Sequence, residues 1–158
     1  MTDRCCFLRE DFEVLVRVTI GDTTKQIKNA LEQTGASQDG GDCWHDSFDF
    51  EEGQRGATMW STRLRELIAI KSRAEIVDPD PTGNRAYIGR TVTVADEDTG
   101  EITKYLIASF MVLKKRDGLK AISYMSPLAI LIRGARVGET REGRIGEFTK
   151  KFKIIDIK

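Results

Sequence analysis

Nowhere in the 158 residues does an apolar run approach the ~20 positions that a membrane-spanning helix requires. The opening stretch, MTDRCCFLRED, lacks the apolar core and cleavage site of a secretory leader. The expectation is a cytoplasmic protein with no membrane partner. Cysteine is scarce, at Cys5, Cys6 and Cys43. An odd number without a leader argues against a disulfide framework and favours three reduced thiols. The alternative is a metal site of Cys5, Cys6, Cys43 and His45. It lacks the two-residue gap of a zinc knuckle, because Cys5 and Cys6 are adjacent. Internal repeats and low-complexity tracts are absent. Hydrophobic residues reach 40%, so a buried core is available and disorder is not expected.

Formal net charge is zero, yet the halves differ. Residues 1–80 hold 10 Lys+Arg against 16 Asp+Glu, and residues 81–158 hold 15 against 9. Such asymmetry suggests two units with different tasks. The change falls at Val77-Asp78-Pro79-Asp80-Pro81-Thr82-Gly83-Asn84, which contains two of the three prolines. Proline disfavours helix at the residue before it, and Gly and Asx add turn chemistry. This segment is the clearest boundary in the chain.

Downstream, β-branched Thr91–Val94 reads as a strand, Asp96–Gly100 as a turn and Ile102–Ile107 as a second strand. Leu119–Tyr124 is a third strand and Phe148–Ile157 the last. Ser126-Pro127 opens a short helix over Leu128–Arg133, which Gly134 ends. Ser at the cap, Pro at the first position and Gly beyond the end fit helix-boundary chemistry. The expectation is an α+β domain with a small antiparallel sheet.

Upstream, Thr58–Ile76 reads as helix, with Trp60, Leu64 and Leu67 on one stripe that Lys71 interrupts. Asp22–Gln33 also reads as helix, with Ile27, Ala30 and Leu31 as its apolar face. Over Phe12–Ile20, the alternation of Val14, Val16, Val18 and Ile20 leans to strand, while Leu8, Phe12, Leu15 and Thr19 keep helical spacing. Between the helices, Gly35–Gln54 carries Asp39, Asp42, Asp46, Asp49, Glu51 and Glu52, and no Lys or Arg occurs between Lys28 and Arg55. A solvated loop leading into an acidic first helical turn explains this run. So does a cation site awaiting a partner's metal, since Mg²⁺ prefers carboxylate oxygens.

Several of these runs resemble a family. Ser123-Tyr124-Met125-Ser126-Pro127-Leu128-Ala129, with Gly134 and Val137-Gly138-Glu139, resembles the most recognisable motif of the Gre transcript-cleavage factors. Ile88–Val94 is similar to that family's domain-entry strand, and Asp96–Glu101 sits where its hairpin turn sits. Leu8–Glu13 resembles the start of its first coiled-coil helix. Arg63–Leu67 leading to Ala74–Val77 resembles the end of its second.

The resemblance implies an N-terminal antiparallel coiled-coil hairpin over 1–77 with an acidic tip near 39–50. It also implies a linker over 78–87 and an FKBP-like polymerase-docking domain over 88–158. It favours helix at Phe12–Ile20. By the same token the chain is a monomer that binds RNA polymerase through its secondary channel and stimulates cleavage of backtracked nascent RNA. It is then no enzyme itself, and lends tip acids to a shared Mg²⁺ near the RNA 3′ end. Counting back from Arg63 places Asp46 at the second tip acid and Phe50 at the tip aromatic. Cys43 then falls at the first acid, so Asp42 and Asp46 form the candidate pair, with Asp49 in reserve. Trp44 and His45 depart from the pattern and are read as tip contacts or, for Trp44, as a cap on the seam. Ser126, Pro127 and Leu128 are the candidate docking element, or a well-capped structural helix. Lys114-Lys115-Arg116 and Lys150-Lys151 read as solvated turns that add attraction to polymerase or nucleic acid. Two rivals stand beside this reading. One is a channel regulator that does not promote cleavage; the other is an FKBP-like prolyl isomerase, for which no proline pocket is evident.

Overall fold

The computed structural model describes residues 4–36, 43–79, 82–113 and 118–158. Asp39, Asp42, Asp80, Pro81 and Lys114-Lys115-Arg116 lie outside the described residues. The chain divides into two compact units. One joins Met1–Phe12 to Ala74–Lys158; the other is Glu13–Arg73.

The Glu13–Arg73 unit is a helical hairpin. A π-helical turn (Leu15–Thr19) leads into α2 (Ile20–Ala36), and α3 (Cys43–Ser72) returns. Gly53 faces Thr34 and Ala30, and Gly56 faces Ala30, so partners rise on one helix as they fall on the other and the pair is antiparallel. The inward stripe of α2 is Thr23, Ile27, Ala30 and Thr34, at helical spacing. Leu31, expected on that face, is 55% exposed. On α3 the expected stripe holds: Leu67 is fully buried, Trp60 and Leu64 are half-buried, and Lys71 is exposed.

Phe12–Ile20 is helical throughout, against its local alternation. Leu15 and Thr23 are both buried, eight residues apart. Two α-turns span ~7.2 residues, so eight would rotate the second side chain off the seam. The π-turn, closed by the Ile20 N–H on the Leu15 carbonyl, takes up the extra residue. The start of α3 at Cys43 also corrects the loop reading of Gly35–Gln54. Gly53 and Gly56 lie inside the helix because they permit close approach to α2.

The other unit contains β1 (Cys5–Leu8) and β2 (Ala74–Val77), paired in parallel with Cys5 opposite Ala74. Both ends of the expected helical hairpin are thereby corrected. Leu8 belongs to a strand that precedes α1 (Arg9–Val14), and Ala74–Ile76 are strand, with α3 ending at Ser72. Five further strands, β3 (Thr91–Asp96), β4 (Ile102–Ala108), β5 (Lys120–Ser123), β6 (Thr140–Ile145) and β7 (Phe148–Ile157), form a sheet ordered β5-β4-β3-β7-β6. The sheet is mixed rather than purely antiparallel, because β5 joins β4 in parallel. β6 was not foreseen: TREGRI is a polar edge strand without apolar alternation.

Helix α4 (Pro127–Ile132) covers one sheet face. Ala129, Ile132 and Ala135 pack with Val92, Val94, Ile107, Phe152 and Ile154. Burying an Ile or Phe side chain fully contributes about 1.5–3 kcal/mol. Ala86, within the segment read as linker, is fully buried in this core and donates its N–H to the Ala135 carbonyl at 2.9 Å. β1 is anchored by polar bonds. Leu8 N–H donates to Ser109 Oγ at 2.8 Å, and Ser109 donates its own proton to the buried Asp11 carboxylate. Phe110 N–H donates to the Cys6 carbonyl at 2.9 Å.

Candidate functional site

Two regions carry the candidate residues, one on each unit. In the hairpin, Cys43, Trp44, His45, Asp46 and Asp49 occupy the first two turns of α3. Their side chains lie outside what the structure describes. In sequence Asp46 and Asp49 are three residues apart. Two carboxylates one turn apart at a helix N-terminus are favoured by the dipole. They are also hard oxygen donors of the type Mg²⁺ takes. Asp42 directly precedes the helix. The same turns hold a residue that sequence reasoning passed over, Phe48, which is 68% exposed. Farther along, Arg55 Nη2 pairs with Glu51 at 3.9 Å, so the first cation after the acidic run faces an acid of that run.

On the sheet unit, Ser126 is the N-cap of α4. Its Oγ accepts the Ala129 N–H at 3.3 Å, and its carbonyl accepts the Ile130 N–H at 2.9 Å. Pro127 sits at the first helical position, where no N–H is needed. Leu128 packs against the core. Of the three candidate docking residues, then, Ser126 is engaged as a cap, Leu128 is partly buried and Pro127 is exposed. Met125 and Ile130, half exposed on either side, extend the outward apolar surface. Sequence periodicity could have found Ile130, three residues beyond Pro127. The preceding residue, Tyr124, is fixed by accepting the Cys6 N–H at 3.0 Å, and burial raises its phenol pKa above the ordinary value.

Lys150, half of an expected basic pair, is not a free cation. Its ammonium donates to Asp96 Oδ2 at 2.7 Å. That bond lowers the Asp96 pKa and raises that of Lys150. Lys151 pairs with Glu142 at 3.3 Å. The lysines are thus balanced by acids of their own sheet. Among the described residues no group of three or more His, Cys, Asp or Glu side chains is placed to hold a metal. None of the described helices is long and apolar enough to cross a membrane.

Residues 80–158 match the family described as transcription elongation factor, GreA/GreB, C-term. Over 115 residues the chain is 32% identical to transcription elongation factor GreA of Chloroflexus aurantiacus, covering 72% of this chain and 71% of that one. Over 148 residues it is 31% identical to GreA of Nautilia profundicola, covering 93% and 85% respectively. Among solved structures, GreA factor homolog 1 (Gfh1) of Thermus thermophilus aligns over 98% of this chain and 99% of its own, at 20% identity and a TM-score of 0.44.

Proposed function

Because the chain belongs to the GreA/GreB family of transcription elongation factors, we propose that it binds RNA polymerase and stimulates the polymerase to cleave its own backtracked transcript. The observation that carries this reading is the acidic, cation-poor run that leads into the first turns of α3, the second of two antiparallel helices. It extends from Asp39 to Glu52, across the start of α3.

Asp42 and Asp46, with Asp49 in reserve, would hold a Mg²⁺ shared with the polymerase. Such an ion stabilises the attacking and leaving oxygens of phosphodiester hydrolysis. The contribution of this chain is charge and placement. Carboxylates concentrated without counter-cations repel one another, so a divalent ion brought by the partner relieves that repulsion. Two or three acids complete a coordination shell that one alone holds poorly. Trp44 and His45 are at hand to contact the nascent RNA 3′ end, by stacking or as a local proton acceptor. The exposed surface of Met125, Pro127 and Ile130 serves to dock on the polymerase.

A second reading is favoured by one residue. Cys43 stands where the resemblance places the first tip acid, which fits a factor that occupies the polymerase channel without promoting cleavage. RNA cleavage in purified, stalled, backtracked elongation complexes separates the two. Acceleration by this protein with Mg²⁺, lost in the Asp42→Asn/Asp46→Asn variant while polymerase binding is kept, is the expected result. Polymerase binding with no acceleration would give the second reading instead.

A further inference from the structure

The hollow beside Val77–Pro79 and Thr82–Arg90 belongs to neither candidate region. It encloses about 420 Å³ within the sheet unit, in the size range of small-molecule sites. Thr82, Asn84, Arg85, Tyr87 and Arg90 supply its polar wall, over an apolar floor of Val77, Pro79 and Ile88.

Among the described lining residues two arginines stand against one acid, Asp78. Arg85 donates to the Gly134 carbonyl at 3.2 Å and has no acid partner among the described residues. The Nη2 of Arg90 is shielded from solvent and has no hydrogen-bond partner among the described residues. An unmade bond on a buried charged donor is costly. Asp78 is the acid on this wall, and Arg9 engages it at 3.2 Å. Tyr87 is half exposed and lies against Gly134, where an added Cβ would come within 3.3 Å of its Oη. A second, smaller hollow behind Tyr87 and Ile88 is lined by Arg133. Three arginines thus line the two hollows on either side of one partly open aromatic ring.

We propose that this hollow binds a nucleoside phosphate. The phosphates sit against Arg85 and Arg90, and the base lies on Tyr87. A small turn of the Arg90 guanidinium presents its orphan nitrogen to a phosphate oxygen. Charge-assisted bonds from a planar guanidinium are the strong ones, and bidentate geometry suits phosphate. An acidic side chain would satisfy the arginines but leave the aromatic face unused. The proposal is independent of the cleavage reading, since it concerns the chain without polymerase.

The test is calorimetric titration of the full chain with ATP, GTP, inorganic phosphate and a short single-stranded RNA at fixed salt. Saturable binding of a nucleoside triphosphate is expected, about tenfold or more weaker in Arg85→Gln/Arg90→Gln. Tyr87→Ala should weaken the nucleotide and leave inorganic phosphate unchanged. Should the double variant fail to fold, amide chemical shifts of the wild-type chain decide: with ATP they should move at Thr82–Arg90. Shifts confined elsewhere, or the absence of saturable nucleotide binding, would overturn the proposal. Binding of RNA without binding of any mononucleotide would also overturn it, and would assign the arginines to a nucleic-acid backbone.

Discussion

The carboxylate of Asp96 joins two stretches of chain at the β3–β4 turn. Oδ1 accepts the N–H groups of Asp98 and Thr99 at 2.9 and 3.3 Å, while Oδ2 takes the Lys150 ammonium from β7. The Lys150 bond is the main reason its pKa lies below the ordinary 3.8. A depressed carboxylate pKa contributes stability that is present above the unfolded value and lost as pH falls through the folded one. Lys150, raised above 10.5, contributes stability that persists below that value and disappears as pH rises through the folded pKa. Asp96→Asn keeps an oxygen for the turn and loses the charge, whereas Asp96→Ala loses both. Thermal melts at neutral pH should therefore rank wild type above Asn and Asn above Ala. The gap between wild type and Asn should close as pH is taken below 3.8. A gap that persists in acid would assign the effect to packing. Asp96, read from sequence as the start of the turn, is the last residue of β3, and its side chain accepts from the turn that follows. Its partner could not be read, because Lys150 is 54 residues away and only the sheet brings it close.

At the level of elements, the hairpin turns on where its glycines fall. A Cβ on Gly53 would lie 2.6 Å from Thr34 Cγ2 and 3.0 Å from the Ala30 carbonyl oxygen, whereas one on Gly21 would meet nothing within 4 Å. Alanine favours a helix interior by about 1 kcal/mol over glycine. Overpacking costs about 1–3 kcal/mol. Gly21→Ala should raise the midpoint of helix unfolding and Gly53→Ala should lower it, as followed by far-ultraviolet circular dichroism in denaturant. A rise in both would mean that α2 and α3 are not closely packed at Gly53. These residues also explain what was legible. The stripe Trp60, Leu64, Leu67 and the Ser126-Pro127 cap follow from local spacing, and both were readable. The true start of α3 was hidden by Gly53 and Gly56, whose purpose lies on the facing helix. The π-turn was hidden because its signature, the eight-position step from Leu15 to Thr23, shows only once both are known to be buried. At the candidate site the acids were legible as composition.

For the whole molecule, the decisive feature is that the sheet-bearing unit is discontinuous. Residues 1–12 return to it through the pairing of β1 with β2, and the hairpin is an insertion between them. Excising Glu13–Arg73 and joining Phe12 to Ala74 through about eight Gly/Ser residues restores the dozen or so that a parallel crossover needs. The product should unfold cooperatively. A fragment that begins at Ile88 loses Ala86 from the core as well as both strands, and should be less stable in urea than the joined chain. Equal stability would show that β1 and β2 contribute nothing. The same arrangement bears on biosynthesis. The ribosome makes Cys5–Leu8 well before its partner, and at ~5–20 residues per second roughly 3–14 s pass before Ala74–Val77 is complete. During that interval β1 lacks its β2 partner, while the two long helices, whose contacts lie closer in sequence, are free to meet. An early-made strand therefore waits for a later partner, and a chain stalled before Ala74 would present β1, with its two cysteines, without that partner strand.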